Sequence, residues 1–124
     1  MNNVILKLAR TRLGEFLLRL AFSSFSFAIP VNRLRDTSTL IAFFHPQPSY
    51  PTHILVVPKR KYRSLLDVPP DDVQFMKDLF EVVGSLVEEF GLERAGYRLI
   101  VNGGESQDVR LLHFHLIAEA PSDE

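Results

Sequence analysis

Two of the four histidines in this chain of 124 residues lie two residues apart, His113 and His115 in "RLLHFHLIAE" (110–119); the others are His45 and His53. Imidazole titrates near neutral pH, so such a set can attack phosphorus, move protons or ligate a transition metal. Side chains alternate along a strand, so Leu111, His113 and His115 share one side and Leu112, Phe114 and Leu116 the other. The second set suits a core, which places the two histidines on the sheet's other face, about 7 Å apart. Three readings stay open. The pair is two half-exposed strand histidines without a task, part of a metal site completed by His53 or His45, or a nucleophilic or acid–base centre. The third reading draws on the adjacent turn "NGGESQD" (102–108), whose unhindered backbone N–H groups suit a phosphate. The spacing matches no recognised zinc signature, and pattern alone does not choose.

The elements that must position these residues are readable in outline. Strand patterns fall at Asn32–Arg35, Leu40–Phe44, His53–Val57, "YRLIV" (97–101) and 111–118. "HPQPSYPT" carries three prolines and must be an extended, semi-rigid loop between the second and third strands. "DVPPDD" predicts a helix start with prolines in the first turn. Phe75, Leu79, Val82, Val83, Leu86 and Phe90 form the apolar face of a helix from about 70 to 90, closed by Gly91. Leu6, Ala9, Leu13, Phe16, Leu17 and Leu20 predict a further amphipathic helix within residues 3–22. The expectation is an α+β domain at 28–124, an antiparallel sheet of about five strands covered on one face by the long helix. A basic helical extension at 1–27 precedes it.

Composition bounds the rest. With 46% hydrophobic and 23% charged residues the chain reads as one globular domain, and without cysteine it has no disulfide or thiolate metal site. A net charge of −1 argues against a nucleic-acid partner. The charge is uneven: residues 1–35 hold six Lys/Arg against Glu15 alone, and the remainder eight bases against fourteen acids. Arg19 interrupts "FLLRLAF", and no apolar run approaches the roughly 18–20 residues of a bilayer span. Packing of the first helix on protein is favoured over a membrane-surface contact or a removed targeting peptide, and a cytoplasmic location is expected.

From Ile29 onward the chain resembles the histidine-triad (HIT) nucleotide-binding family, in order, over about 90 residues. The pieces are "IPVNRLRDTSTLIAF", "PTHILVVPKRKYRSLLDV", the long helix, "GLERAGYRLIVNGG" and "QDVRLLHFHLIAE". Laid on the family's His-φ-His-φ-His-φ-φ signature, with φ apolar, the three histidine positions fall on Leu111, His113 and His115. The resemblance implies hydrolysis or nucleotidyl transfer on phosphoramidate, acyl-nucleotide or dinucleoside polyphosphate substrates, through a nucleotidyl-histidine and without metal or other cofactor. It makes His113 the nucleophile and puts His115 and His53 at the phosphate. Asn102 and Gln107 fall near the phosphate-binding turn, Phe43 and Ile29 at the base pocket. A purine nucleotide or nucleotide conjugate is the implied partner, and a homodimer through the long helix and neighbouring strand the implied assembly.

Four departures stand beside the resemblance. Leu111 replaces the first histidine. His45 stands where the family usually has an aspartate that grips the ribose hydroxyls. Asp108 takes a position that is often serine, near the leaving group, where a carboxylate repels phosphate. The N-terminal segment is a basic helix pattern rather than short or "C-x-x-C" bearing. The alternative from another class is therefore a nucleotide-binding or regulatory protein with little or no turnover; a metal-dependent hydrolase using His53, His113 and His115 is a third.

Overall fold

The computed structural model describes residues 32–120; Ile29 and the helix predicted within residues 3–22 lie outside them. Strands β1 (Arg33–Asp36), β2 (Leu40–Phe44) and β3 (Thr52–Pro58) come first. Helix α1 (Val73–Glu89) and the short α2 (Leu92–Ala95) follow, then β4 (Arg98–Val101) and β5 (Phe114–Ala118). The strands form one sheet in the order β1-β2-β3-β5-β4, every neighbouring pair antiparallel. This is the α+β layering expected of alternating strands and one amphipathic helix.

The core lies between α1 and one face of the sheet. Phe75, Leu79, Val82, Val83 and Leu86 of the helix meet Leu40, Ala42, Ile54, Val56, Phe114 and Leu116 of the strands. Burying each large side chain contributes about 1.5–3 kcal/mol, so this single stripe fixes which sheet face receives the helix. The opposite parity (Ile41, Phe43, His53, Leu55, Val57, His115, Ile117) therefore belongs to the other face. Arg35 reinforces the assembly from β1, its guanidinium donating to the Ser85 hydroxyl at 3.0 Å and to Glu89 at 2.7 Å.

Two boundaries differ from the pattern-based expectation by more than one residue, and one short helix is additional. The long helix starts at Val73 rather than near residue 70, because the Asp72 side chain caps it by accepting from the Phe75 N–H. The prolines precede its first turn. The last strand begins at Phe114, not at residue 111, since the Leu112 N–H donates to the Tyr62 carbonyl instead of joining the ladder. Gly91, at φ 62°, ends α1 as expected but also opens α2, which no periodicity announced.

Candidate functional site

Register brings three of the histidines together. Within the ladders, residues directly opposite one another share a face: Phe43, Leu55, His115 and Ile100 form one row, His53 and Ile117 the next. His45 follows β2 in the same parity, and its N–H donates to the His53 carbonyl at 2.8 Å. The His45 and His53 rings are 4.3 Å apart, His53 and His115 5.2 Å, and His113 and His115 4.9 Å. All four histidines of the chain thus occupy one end of the sheet face opposite α1.

Hydrogen bonds assign the protons on these rings. The Ser49 N–H donates to His53 Nδ1 at 3.1 Å, so in the neutral ring the proton sits on Nε2. That Nε2–H donates to His115 Nδ1 at 2.9 Å, which leaves the His115 proton on Nε2. The Gln47 N–H donates to His45 Nδ1 at 2.9 Å and fixes its proton on Nε2 likewise. His113 is the reverse case. Its Nδ1 lies 2.7 Å from the Leu111 carbonyl, which only accepts, so Nδ1–H is the donor and Nε2 carries the lone pair. The site therefore holds one imidazole with a free lone pair, His113, and two with an uncommitted Nε2–H, His45 and His115, while both nitrogens of His53 are engaged.

Burial keeps these rings uncharged. Desolvation lowers the pKa of His115 to about 3 and of His45 to about 4, reinforced in each by the neighbouring imidazoles. Burial lowers His53 as well. His113 is also lowered by burial, opposed by its bond to the Leu111 carbonyl and by the Asp108 carboxylate. The half-exposed reading of the pair is corrected for His113, which is only 7% exposed. At neutral pH the donors are neutral imidazoles rather than imidazolium ions; a bound phosphate would shift them towards the charged form.

A chain of contacts holds His113 at the end of its loop. Gln107 Nε2 donates to the carbonyls of Arg63 and Val109, and the Leu112 N–H to Tyr62. The Tyr62 hydroxyl donates to the Asp72 carboxylate at 2.6 Å, linking this loop to the helix cap. Gln107, which the resemblance puts near the phosphate-binding turn, donates its amide N–H groups to these backbone carbonyls. Asn102 lies with Tyr50, His53, Ile100, His115 and Ile117 around a cleft of about 280 Å³. Phe43 is buried on the histidine face, opposite Leu55.

Three contributions escaped the sequence. The Leu111 carbonyl and the Ser49 N–H are backbone groups that no residue type announces. Tyr50 stands edge-on to His53, centroids 5.3 Å apart, and its place in the proline-bearing loop was the one available signal. A second correction concerns metal ligands: the imidazoles that converge are His45, His53 and His115, not the trio containing His113, whose lone pair belongs to a separate arrangement.

The HIT domain family model matches residues 26–122. The chain belongs to the HIT family. Among its relatives, a purine nucleoside phosphoramidase of Escherichia coli is 30% identical over 95 residues, 75% of this chain and 80% of the relative. An uncharacterised HIT-like protein of Azospirillum brasilense is 36% identical over 93 residues, 73% of this chain and 76% of the relative. A histidine triad protein from Clostridium difficile superposes with a TM-score of 0.71 at 31% identity, covering 88% of this chain and 95% of that one. A HIT family hydrolase from Legionella pneumophila gives 0.68 at 30% identity, covering 74% and 84%.

Proposed function

We propose that this HIT-family chain hydrolyses nucleoside phosphoramidates or related phosphoanhydride and acyl-nucleotide conjugates, with His113 as nucleophile. The observation that carries the reading is the proton arrangement: the Leu111 carbonyl holds His113 Nδ1–H at 2.7 Å and leaves Nε2 as the free lone pair. Nε2 attacks the α-phosphorus, the P–N bond to the leaving amine breaks, and the amine takes up a proton. Water then attacks the same phosphorus, the P–Nε2 bond breaks, and the nucleoside monophosphate leaves. His115 serves the phosphate oxygens as an N–H donor through Nε2, and His53 supports it at the same phosphate by fixing that tautomer, an arrangement that acts where charge develops. Asn102 joins them from the cleft rim, and Phe43 belongs to the base pocket. The E. coli phosphoramidase supports a purine nucleotide conjugate as substrate class.

Residue 111 enters this scheme through its backbone, so the change to leucine leaves the attacking nitrogen intact. His45 in place of the ribose-gripping aspartate favours the second reading, nucleotide binding without useful turnover, because a neutral imidazole accepts at one nitrogen only. Single-turnover hydrolysis of adenosine and guanosine 5′-phosphoramidates by chelator-treated protein separates the two. Monophosphate release lost in His113→Ala is expected; saturable nucleotide binding without release would overturn the enzyme reading.

The working form is a homodimer in the cytoplasm, with residues 1–27 an extension of the catalytic domain. Val73, Met76 and Phe80 project outward from α1 at spacings of three and four, with Phe80 73% exposed, and β4 is an edge strand. An apolar helix stripe beside an unpaired edge suits a second copy of this chain.

A further inference from the structure

We propose that His45, His53 and His115 form a binding site for one divalent late-transition cation, zinc foremost, separate from the His113 nitrogen. One ring nitrogen from each residue lies within 4.8 Å of the others, and the group contains no carboxylate. Imidazole donors select zinc, copper or nickel over magnesium and calcium. Zinc–nitrogen bonds of roughly 2.0–2.1 Å in a tetrahedron separate the ligand nitrogens by about 3.3–3.4 Å. His53 Nε2 and His115 Nδ1 are already 2.9 Å apart, so these two need only part slightly. His45 follows the end of β2 in the proline-bearing loop, its ring centroid 4.3 Å from that of His53.

The ring protons give the site a signature. His115 Nδ1 already presents a lone pair. Ligation through Nε2 of His45 and His53 moves their protons to Nδ1, which ends acceptance from the Gln47 and Ser49 N–H groups. Both residues are exposed, so these groups can turn to water. Three protein ligands leave a fourth position for water or an anion.

The test titrates full-length, chelator-treated protein with zinc against a chromophoric competing chelator, without nucleotide. One zinc per chain is expected, with affinity unchanged in His113→Ala. In His45→Ala it should fall by more than the roughly 10–100-fold that loss of an outer-sphere partner costs. Amide resonances of Gln47 and Ser49 should shift on zinc addition to the wild type, a readout that holds even if His45→Ala does not fold. No competition with the chelator, equal loss in both variants, or unmoved amides would overturn the site. Failure of hydrolysis would not, because binding is read in the absence of substrate.

Discussion

Leu111→His restores a third histidine at the strand period, and the structure predicts that it gains little. Residue 111 gives the proposed nucleophile its carbonyl oxygen, 2.7 Å from His113 Nδ1, and every residue type provides that group. Turnover should therefore change by less than about tenfold, or about 1.4 kcal/mol in the barrier. Stability should change more. The Leu111 side chain is 5% exposed, and its burial contributes about 1.5–3 kcal/mol, part of which an imidazole forfeits. A buried ring nitrogen without a partner costs a further ~1–3 kcal/mol. A net loss of about 2–4 kcal/mol lowers the melting temperature by on the order of 10 °C. Calorimetry gives the stability, and single-turnover hydrolysis well below both midpoints gives the rate. A variant as stable as wild type that turns over more than a hundredfold faster would refute the reasoning. The missing side chain, rather than the carbonyl, would then be what the nucleophile needs.

Acid should destabilise the fold through the same imidazoles. Below about pH 6.5 the unfolded rings take up protons, while folded His45 and His115 stay neutral down to about 4 and about 3, so stability falls as pH falls through that window. At pH 5 this amounts to about 2 kcal/mol per sealed ring, and to about 1 after allowing for their partial exposure. Denaturant unfolding at pH 7.5 and 5 should show the loss, and His115→Phe should reduce it; a flat or rising profile contradicts the assignment. Asp78→Ala removes the acceptor for the Thr39 hydroxyl at 2.7 Å and the Gln74 amide at 2.8 Å, which should cost about 1–3 kcal/mol in chemical denaturation. Its turnover per folded molecule should be unchanged, because these residues pack on the helix side of the sheet. Phe80→Glu should abolish the proposed homodimer in sedimentation analysis, whereas a dimer unchanged by it would place the interface elsewhere.

What the sequence revealed follows from which forces act locally. β2 was legible residue for residue, and the apolar stripe from Phe75 to Leu86 named the helix face that meets the sheet. Alternation also assigned Leu112, Phe114 and Leu116 to the core side correctly. The start of β5 was not legible, because Leu111–His113 carry a strand pattern while the Leu112 N–H is claimed by Tyr62, fifty residues earlier in the chain. The helix start moved for a similar reason: Asp72 competes successfully as a cap once Tyr62 anchors its other carboxylate oxygen. At the site, residue types were legible and proton positions were not. Whether His113 attacks through Nδ1 or Nε2 depends on a backbone carbonyl, and the state of His115 depends on Ser49 through His53. The grouping of His45 with His53 and His115 depends on register across three strands, which no local spacing encodes.

The most direct measurement is to quench a single turnover of guanosine 5′-phosphoramidate in acid-free denaturant and locate the nucleotidyl adduct by peptide mass analysis. The account predicts one nucleoside monophosphate on the peptide containing His113, bonded at Nε2 and absent from His113→Ala. An adduct on His115 or His53, or monophosphate release undiminished in His113→Ala, would contradict it.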